Sequence, residues 1–138
     1  MSDDPAAVFR RIVEEIINAG DPDAIDRLVT EDYVDHTGGD SNREGYRETI
    51  QAVREVFPDL QMTVHDTIVQ GDKVAARFSV TATHRGEFMG IPATDRKVSW
   101  EGIGIIRVAD GKMAERWNVS DMMGLYEQVD SPGGYSDD

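Results

Sequence analysis

The sequence has no cysteine among its 138 residues. Disulfide bonds, thiolate metal sites and a cysteine nucleophile are therefore excluded, and stability must come from a hydrophobic core. Long apolar runs are missing too, because no stretch approaches the roughly 20 apolar residues that a membrane-spanning helix requires. From these absences we expect no disulfide framework and no transmembrane helix.

Positive charge is also scarce. Lysine and arginine together number 14 against 27 aspartates and glutamates, which gives a formal net charge of -13. A nucleic-acid partner is not expected, since the binding of phosphates requires a basic surface. A surface this acidic repels itself unless salt screens it, which favours a halophilic source over an ordinary acidic bacterial protein.

The length of the chain fits one compact domain rather than two. We place this domain at residues 1–130 and predict that the Gly- and Asp-rich residues 131–138 form a disordered acidic tail. The chain begins Met1-Ser2-Asp3-Asp4-Pro5, without the basic stretch and apolar core of a secretory signal. We therefore expect a cytoplasmic protein.

The first half of the sequence has the apolar periodicity of helices. Apolar residues from Val8 to Ile17 recur at helical spacing and predict a helix of about 15 residues, which Gly20 ends. Asp21 as N-cap and Pro22 in the first turn begin a shorter helix. A third helix is predicted from about Arg43 to the residue before Pro58. The N-terminal half thus supplies three helices.

Beyond Leu60 the apolar period changes to the alternation typical of strands. Four strands are predicted over 62–69, 73–84, 97–108 and 112–121, and residues 122–129 fit a short terminal helix. Gly71-Asp72 and Asp110-Gly111 are typical hairpin turns. The prediction is an α+β cone, with three N-terminal helices on a curved antiparallel sheet of about four strands and a mouth that can hold a ligand.

Five motifs stand in a distinctive order along the chain. They are Phe57-Pro58-Asp59-Leu60, Gly71-Asp72-Lys73-Val74, the segment Thr83-His84-Arg85-Gly86-Glu87-Phe88-Met89-Gly90-Ile91-Pro92, Asp110-Gly111-Lys112, and Glu115-Arg116-Trp117 with Asp121. In this order and spacing they resemble the SnoaL-like polyketide cyclase family of the nuclear transport factor 2-like superfamily. The resemblance covers roughly residues 8 to 129.

This resemblance implies a cone-shaped fold, usually dimeric or tetrameric, that acts without a metal or organic cofactor. Characterised cyclases of the family close a polyketide ring by intramolecular aldol condensation, with an aspartate on the last strand as general acid/base. Asp121 matches that position by its spacing after Trp117. Ala93 and Asp95 stand where relatives commonly have proline and glycine, and Arg116 stands where many have histidine.

Asp121 and His84 are the candidate catalytic residues. Asp121 is expected to share a strand face with Trp117 and Val119, where apolar surroundings would raise the pKa of its carboxyl group. The alternative is that Asp121 caps the helix that begins at Met122. His84 extends the apolar face of its strand and titrates in the range of acid/base transfer, or else it only bonds the adjoining loop.

Candidate substrate-binding residues surround this pair. Tyr33 and His36 follow the second helix, where the cone mouth would lie, and Trp100 and Trp117 could form an aromatic wall or simply belong to the core. Arg116 could face the pocket or pair with Glu101 on the neighbouring strand. A metal site is not expected, because the three histidines lie on separate elements, and His65 should be on the surface.

Two hypotheses follow from these residues. The first is a cofactor-independent cyclase, isomerase or lyase that acts on a small apolar carbonyl compound. The second is a non-catalytic small-molecule-binding or dimerisation module; a related dehydratase or epoxide hydrolase would need a fuller polar set. Burial of Asp121 beside His84 would favour the enzyme, and exposure would favour the module. We also expect a homodimer, because exposed strand edges commonly pair subunits.

Overall fold

A computed structural model describes residues 4–130 as four helices and a five-stranded sheet. The helices are α1 (Pro5–Arg11) with its π-helical continuation (Ile12–Asn18), α2 (Asp23–Leu28), α3 (Arg43–Val56) and α4 (Met122–Asp130). The strands are β1 (Val29–Asp35), β2 (Gln61–Gln70), β3 (Lys73–Thr83), β4 (Lys97–Ala109) and β5 (Lys112–Ser120). The predicted tail at 131–138 lies outside the described residues.

The first helix begins where the sequence predicts and then changes its winding. The Asp4 carboxylate accepts a hydrogen bond from the Ala6 amide at 3.1 Å, and Pro5 occupies the first helical position. From Ile12 onward the turns widen into a π-helix, a rare geometry that is frequent at functional sites. The apolar side chains that predicted the helix, including Val8, Phe9 and Ile16, are buried against the sheet.

The sheet has the strand order β1-β5-β4-β3-β2 and is mixed. Neighbours from β5 to β2 are antiparallel, whereas β1 runs parallel to β5. The prediction of three N-terminal helices on an antiparallel sheet of about four strands is therefore corrected, because the sheet is mixed and has five strands. The fourth helix, α4, lies where the short terminal helix was predicted. Two features hide β1 in the sequence: it has polar residues at Thr30, Glu31 and Asp32, and its partner lies far along the chain.

One extra residue in β5 decides which of its side chains face the helices. The register with β4 shifts at this point, since Val108 pairs with Met113 but Arg107 pairs with Glu115. Met113 and Ala114 are both buried as a result. After this bulge Arg116 faces the interior, whereas Trp117 and Val119 face outward. The strand face on which Asp121 was expected to find apolar surroundings is therefore not the core face.

The inner face of β3 leads directly to the candidate site. Its alternate residues from Val74 to Ala82 are buried, as the alternation predicts, and His84 follows them at the end of the strand. Two apolar clusters lie above this face. One packs against α1 and Tyr33, and the other joins Phe57 to α4. The cone therefore has an interior polar end near β1 and an aromatic end near His84.

Candidate functional site

His84 is completely buried, with 0% of its surface exposed. Its ring centroid lies 6.1 Å from that of Phe57 and 6.5 Å from that of Phe88, and Trp100 packs on Phe57 at 5.3 Å. The predicted inward direction of His84 is thus observed. Trp100 also lies on the inner side, so this end of the cone is an aromatic box of Phe57, Phe88 and Trp100 around one imidazole.

The two ring nitrogens of His84 have different surroundings. Nδ1 lies 2.9 Å from the Thr94 hydroxyl and 3.3 Å from the Thr94 amide nitrogen. Nε2 is buried and has no hydrogen-bond partner among residues 4–130. An unpaired buried polar group costs about 1–3 kcal/mol and therefore needs an explanation. The Thr30 hydroxyl is also unpaired among these residues, but only His84 Nε2 belongs to a titratable side chain beside aromatic rings. The Nε2 atom is therefore the strongest candidate for a ligand contact.

A second buried polar cluster joins β1 to β5. The Tyr33 hydroxyl donates a hydrogen bond to Asp35 Oδ2 at 2.7 Å, and Arg116 Nη1 donates to the same oxygen at 2.9 Å. The Thr37 amide donates to Asp35 Oδ1 at 2.9 Å. The Arg116 guanidinium also lies over the Tyr46 ring, 5.5 Å from its centroid. Asp35 is therefore fully hydrogen-bonded and only 6% exposed.

Each ionisable group in this cluster keeps one protonation state near neutral pH. Burial works to raise the pKa of Asp35, but the Arg116 charge and the hydrogen bonds from Tyr33 and Thr37 outweigh it and hold that pKa below its usual value. Burial first, and then the bond to Asp35, raise the pKa of Tyr33. Burial likewise raises the pKa of Tyr46. The carboxylate stays ionised and the phenols stay protonated near neutral pH, which suits orientation better than proton transfer.

A small cavity separates this cluster from the first helix. It has a volume of about 30 Å³ and is lined by Tyr46, Phe78, Gly104, Arg116 and Asn118 together with apolar side chains of the first helix. This is room for about one water molecule. The Phe78 ring fills the adjoining space: a Cβ added at Gly102 would lie 2.5 Å from Phe78 Cζ. A multi-ring ligand needs this interior to open.

Asp121 does not have the apolar surroundings expected for it. It is exposed, its Oδ1 accepts a hydrogen bond from the Gly124 amide at 2.8 Å, and its carbonyl accepts one from the Leu125 amide at 3.2 Å. These are the contacts of an N-cap on α4, which is the alternative that the sequence left open. Trp117 and Val119 do not bury Asp121, because the bulge in β5 turns both toward the outer face.

His36 and Trp117 form a separate stack on the outer face of the sheet. Their ring centroids are 4.9 Å apart with an interplanar angle of 12°. His36 Nδ1 lies 3.0 Å from Asp40 and Nε2 lies 2.9 Å from Glu115. The predicted wall of Trp100 and Trp117 is therefore wrong, because the two indoles lie on opposite faces, and His36 does not face the cone interior.

Other sequence-based expectations can be checked against the contacts. Arg116 pairs with Asp35 and lies opposite Ile106, so the alternative pairing with Glu101 is wrong. His65 is exposed, as predicted. Within residues 4–130, no helix is long and apolar enough to cross a membrane and no group of three or more His, Asp or Glu residues could hold a metal ion.

Sequence reasoning missed three residues of the site, Asp35, Tyr46 and Thr94. Asp35 stands between the two predicted residues Tyr33 and His36, but only the parallel pairing of Asp35 with Arg116 gives it a role. Tyr46 is recognisable in the sequence only as a buried position of α3. Thr94 reaches His84 through the closure of a loop, for which the sequence has no periodic signal.

Known proteins that are similar to this chain include two methyl ester cyclases and a solved structure. DauD, the aklanonic acid methyl ester cyclase of Streptomyces sp. (strain C5), is 27% identical over an alignment of 133 positions that covers 91% of this chain and 81% of DauD. Nogalonic acid methyl ester cyclase of Streptomyces nogalater is 27% identical over an alignment of 124 positions that covers 83% of this chain and 90% of that enzyme. The structure of IdmH from Streptomyces antibioticus has a TM-score of 0.83 and 31% identity, and the match covers 91% of this chain and 98% of IdmH.

The nuclear transport factor 2-like α+β fold expected from the sequence is confirmed by these structural neighbours. The sequence profile of the SnoaL-like polyketide cyclase family matches residues 7–129, nearly the whole of the chain that the structure describes. The chain therefore belongs to the SnoaL-like polyketide cyclase family.

Proposed function

We propose that this protein is a cofactor-independent cyclase that closes a ring in a polyketide carbonyl compound. The observation that carries the proposal is the buried His84 Nε2, which has no partner among the described residues and lies among Phe57, Phe88 and Trp100. Aromatic walls favour a planar apolar ligand, and a single polar atom within them favours a ligand with an oxygen at that point. Family membership and the cyclase relatives support the same class of reaction.

An aldol-type ring closure needs two groups from the protein: a base, and a hydrogen-bond donor that stabilises the negative charge of the enolate. A base removes a proton from the carbon next to one carbonyl, and the resulting enolate carbon attacks a second carbonyl within the same molecule. One carbon–carbon bond forms, the attacked oxygen takes up a proton, and the product is an isomer of the substrate. Because negative charge develops on the enolate oxygen, a hydrogen bond from His84 to that oxygen stabilises the transition state.

We keep Asp121 as the proposed base because of its position after the last strand, while the groove that it lines includes Ile103 and Val119 of the outer face and not His84. Its Oδ1 is held by the Gly124 amide, whereas Oδ2 accepts no hydrogen bond from residues 4–130. Arg116 and Tyr33 would bind substrate from the opposite end of the cone, since Arg116 lines the small cavity. The exposure of Asp121 favours one competing function, a small-molecule-binding module without chemistry, which the experiment below separates from the cyclase.

Substrate would approach along an apolar groove beside the aromatic box. This groove has a volume of about 450 Å³ and is lined by Met89, Met122, Met123 and Tyr126. Met89 follows Phe88 in a tight turn closed by hydrogen bonds between Phe88 and Ile91. Movement of that turn would connect the groove to His84. Methionine side chains adapt readily to flat ligands, which fits an aromatic polyketide.

A homodimer fits the outer face of the sheet. One cross-strand row there is apolar from β2 to β5, namely Ile68, Ala75, Ile105 and Trp117. The next row adds Ile103 and Val119, which are 54% and 76% exposed. Contiguous exposed apolar surface of this kind is typical of an interface, and we infer that a second copy of the chain covers it.

The decisive experiment is to incubate the protein with aklanonic acid methyl ester and with nogalonic acid methyl ester, without metal or cofactor. A cyclase yields a product of unchanged mass and altered chromatographic retention. His84→Phe keeps the aromatic packing but removes the donor and should lose at least about tenfold in kcat. The matched control is His65→Gln, an exposed histidine on β2. Binding of both esters without turnover would instead establish the binding module.

A further inference from the structure

The proton position on His84 follows from its contacts with Thr94. The Thr94 backbone amide lies 3.3 Å from Nδ1, and an amide nitrogen can donate a hydrogen bond but cannot accept one. Nδ1 must therefore be the acceptor and carry no proton. In a neutral imidazole the proton then resides on Nε2, the atom that has no partner among residues 4–130.

The Thr94 hydroxyl strengthens the same arrangement. Its Oγ1 accepts a hydrogen bond from the Arg96 amide at 3.3 Å, which leaves its own proton to point at His84 Nδ1, 2.9 Å away. The backbone closes the loop around this contact. The His84 amide donates to the Arg96 carbonyl at 2.9 Å, and the Asp95 amide donates to the His84 carbonyl at 2.8 Å. The hydroxyl and the backbone amide of Thr94 thus both donate toward Nδ1 of His84.

We propose that Thr94 is a positioning residue that fixes His84 as the Nε2–H tautomer, so that a neutral imidazole donates a hydrogen bond to a carbonyl oxygen of a planar ligand. The identity of that ligand rests on the proposed function, but the tautomer does not. No proton is transferred from His84 in this role: the N–H bond stays intact while the oxygen gains charge. This explains why Nε2 is buried among aromatic rings rather than paired with a carboxylate, which would compete for the donor.

The tautomer can be measured on the whole protein without knowing the substrate. Long-range ¹H–¹⁵N NMR of the histidine ring distinguishes a protonated from an unprotonated nitrogen. For His84 we expect Nε2 protonated and Nδ1 not. Thr94→Val removes the hydroxyl but keeps the backbone amide as a donor to Nδ1, so Nε2–H should remain the main form while a detectable fraction of the Nδ1–H tautomer appears. Thr94→Ser, which keeps the hydroxyl, should restore the wild-type spectrum. Nδ1–H as the main form in the wild type would overturn the inference.

The donor role is tested with 1,8-dihydroxyanthraquinone, a planar carbonyl compound. Its binding should shift the His84 Nε2–H resonance downfield, and it should do so less in Thr94→Val. If the probe binds without moving that resonance, the donor role is overturned. If either ester is turned over, Thr94→Val should lower kcat about tenfold with little change in KM, and Thr94→Ser should recover it. An Nε2–H tautomer that shifts with the probe, but no turnover of either ester, would refute the cyclase and support this inference.

Discussion

Asp35 and Arg116 face each other across the parallel pair of β1 and β5, with Arg116 Nη1 2.9 Å from Asp35 Oδ2. The same oxygen accepts a hydrogen bond from the Tyr33 hydroxyl. One carboxylate on the edge strand β1 therefore holds both the phenol of Tyr33 and the guanidinium of Arg116 in place. The ion pair is largely removed from water, because only 8% of the Asp35 side chain and 24% of the Arg116 side chain are exposed. Its loss is therefore expected to matter more than the loss of a surface pair.

Asp35→Asn should destabilise the fold by about 2 kcal/mol, less than the loss of a fully buried ion pair because Arg116 keeps some contact with water. The amide leaves the guanidinium without a compensating charge. Urea unfolding followed by circular dichroism measures the change. The matched control is Asp66→Asn, which breaks the exposed pair of Asp66 with Arg77 and should cost no more than about 0.5 kcal/mol. Equal effects of the two variants would contradict this account of the buried pair.

The contribution of Asp35 should also depend on pH. Its folded-state pKa is depressed, so the stability it adds is present above the usual aspartate pKa of about 4 and is lost as pH falls through the folded value. The difference in unfolding free energy between wild type and Asp35→Asn should therefore shrink as pH is lowered below that value. Urea titrations at a series of pH values measure it. A difference that stays constant into that acid range would refute the assignment.

The stability that His36 contributes should depend on pH in the direction opposite to that of Asp35. The hydrogen bond with Glu115 has the largest effect and raises the pKa of His36. Burial lowers that pKa, but the hydrogen bond with Asp40 and the charges of both carboxylates raise it further, so the net shift is upward. A raised folded pKa adds stability below the ordinary histidine value of about 6.5, and this is lost as pH rises through the folded value. We expect His36→Gln to reduce the pH dependence of stability in that window. His65→Gln, at an exposed histidine on β2, is the matched control for the substitution itself. NMR titration of His36 gives its pKa directly.

Two substitutions separate the structural role of Asp121 from a catalytic one. Asparagine caps a helix as well as aspartate does, whereas alanine costs about 1 kcal/mol. Asp121→Asn should thus keep the stability of the wild type but lose turnover of the ester substrates if Asp121 is the base. Asp121→Ala should lose both. Wild-type turnover by a stable Asp121→Asn variant would remove Asp121 from the mechanism and leave it only as the cap of α4.

If a second copy of the chain covers the outer face of the sheet, a charge introduced there should disrupt the dimer. Val119→Glu places a carboxylate in the exposed apolar surface and should convert a dimer to a monomer, as measured by analytical ultracentrifugation. Met123→Glu is the matched control, because Met123 is 70% exposed but belongs to α4 rather than to this face. A wild type that is monomeric at all concentrations, or a dimer that both variants preserve, would contradict the proposed interface.

Local patterns in the sequence predicted much of the fold but less of the site. The helical period of α3 and the hairpin turns around β3 and β5 depend on neighbouring residues, and these elements lie where the patterns predict. The parallel partner of β1 and the bulge at Ala114 depend on distant contacts. That single extra residue turns Trp117 outward, away from the aromatic wall expected of it. It turns Arg116 inward, toward the pocket, which was one of the two alternatives for that residue. The alternation along β3 predicted that His84 points inward. Its contact with Thr94 could not be predicted, because it depends on how the loop between β3 and β4 closes.

The position of β1 in the chain has a consequence for how the protein is made. Among the strands of residues 4–130, β1 pairs in the sheet only with β5, yet β1 is the first of the five strands to be translated and β5 is the last. A nascent chain on the ribosome therefore exposes the β1 edge, and its Asp35 carboxylate lacks the guanidinium of Arg116, until almost all of the domain has emerged. Contacts this distant in sequence form slowly and leave edges open to aggregation. Truncation before β5 should therefore yield a chain that chaperones retain rather than a smaller folded domain.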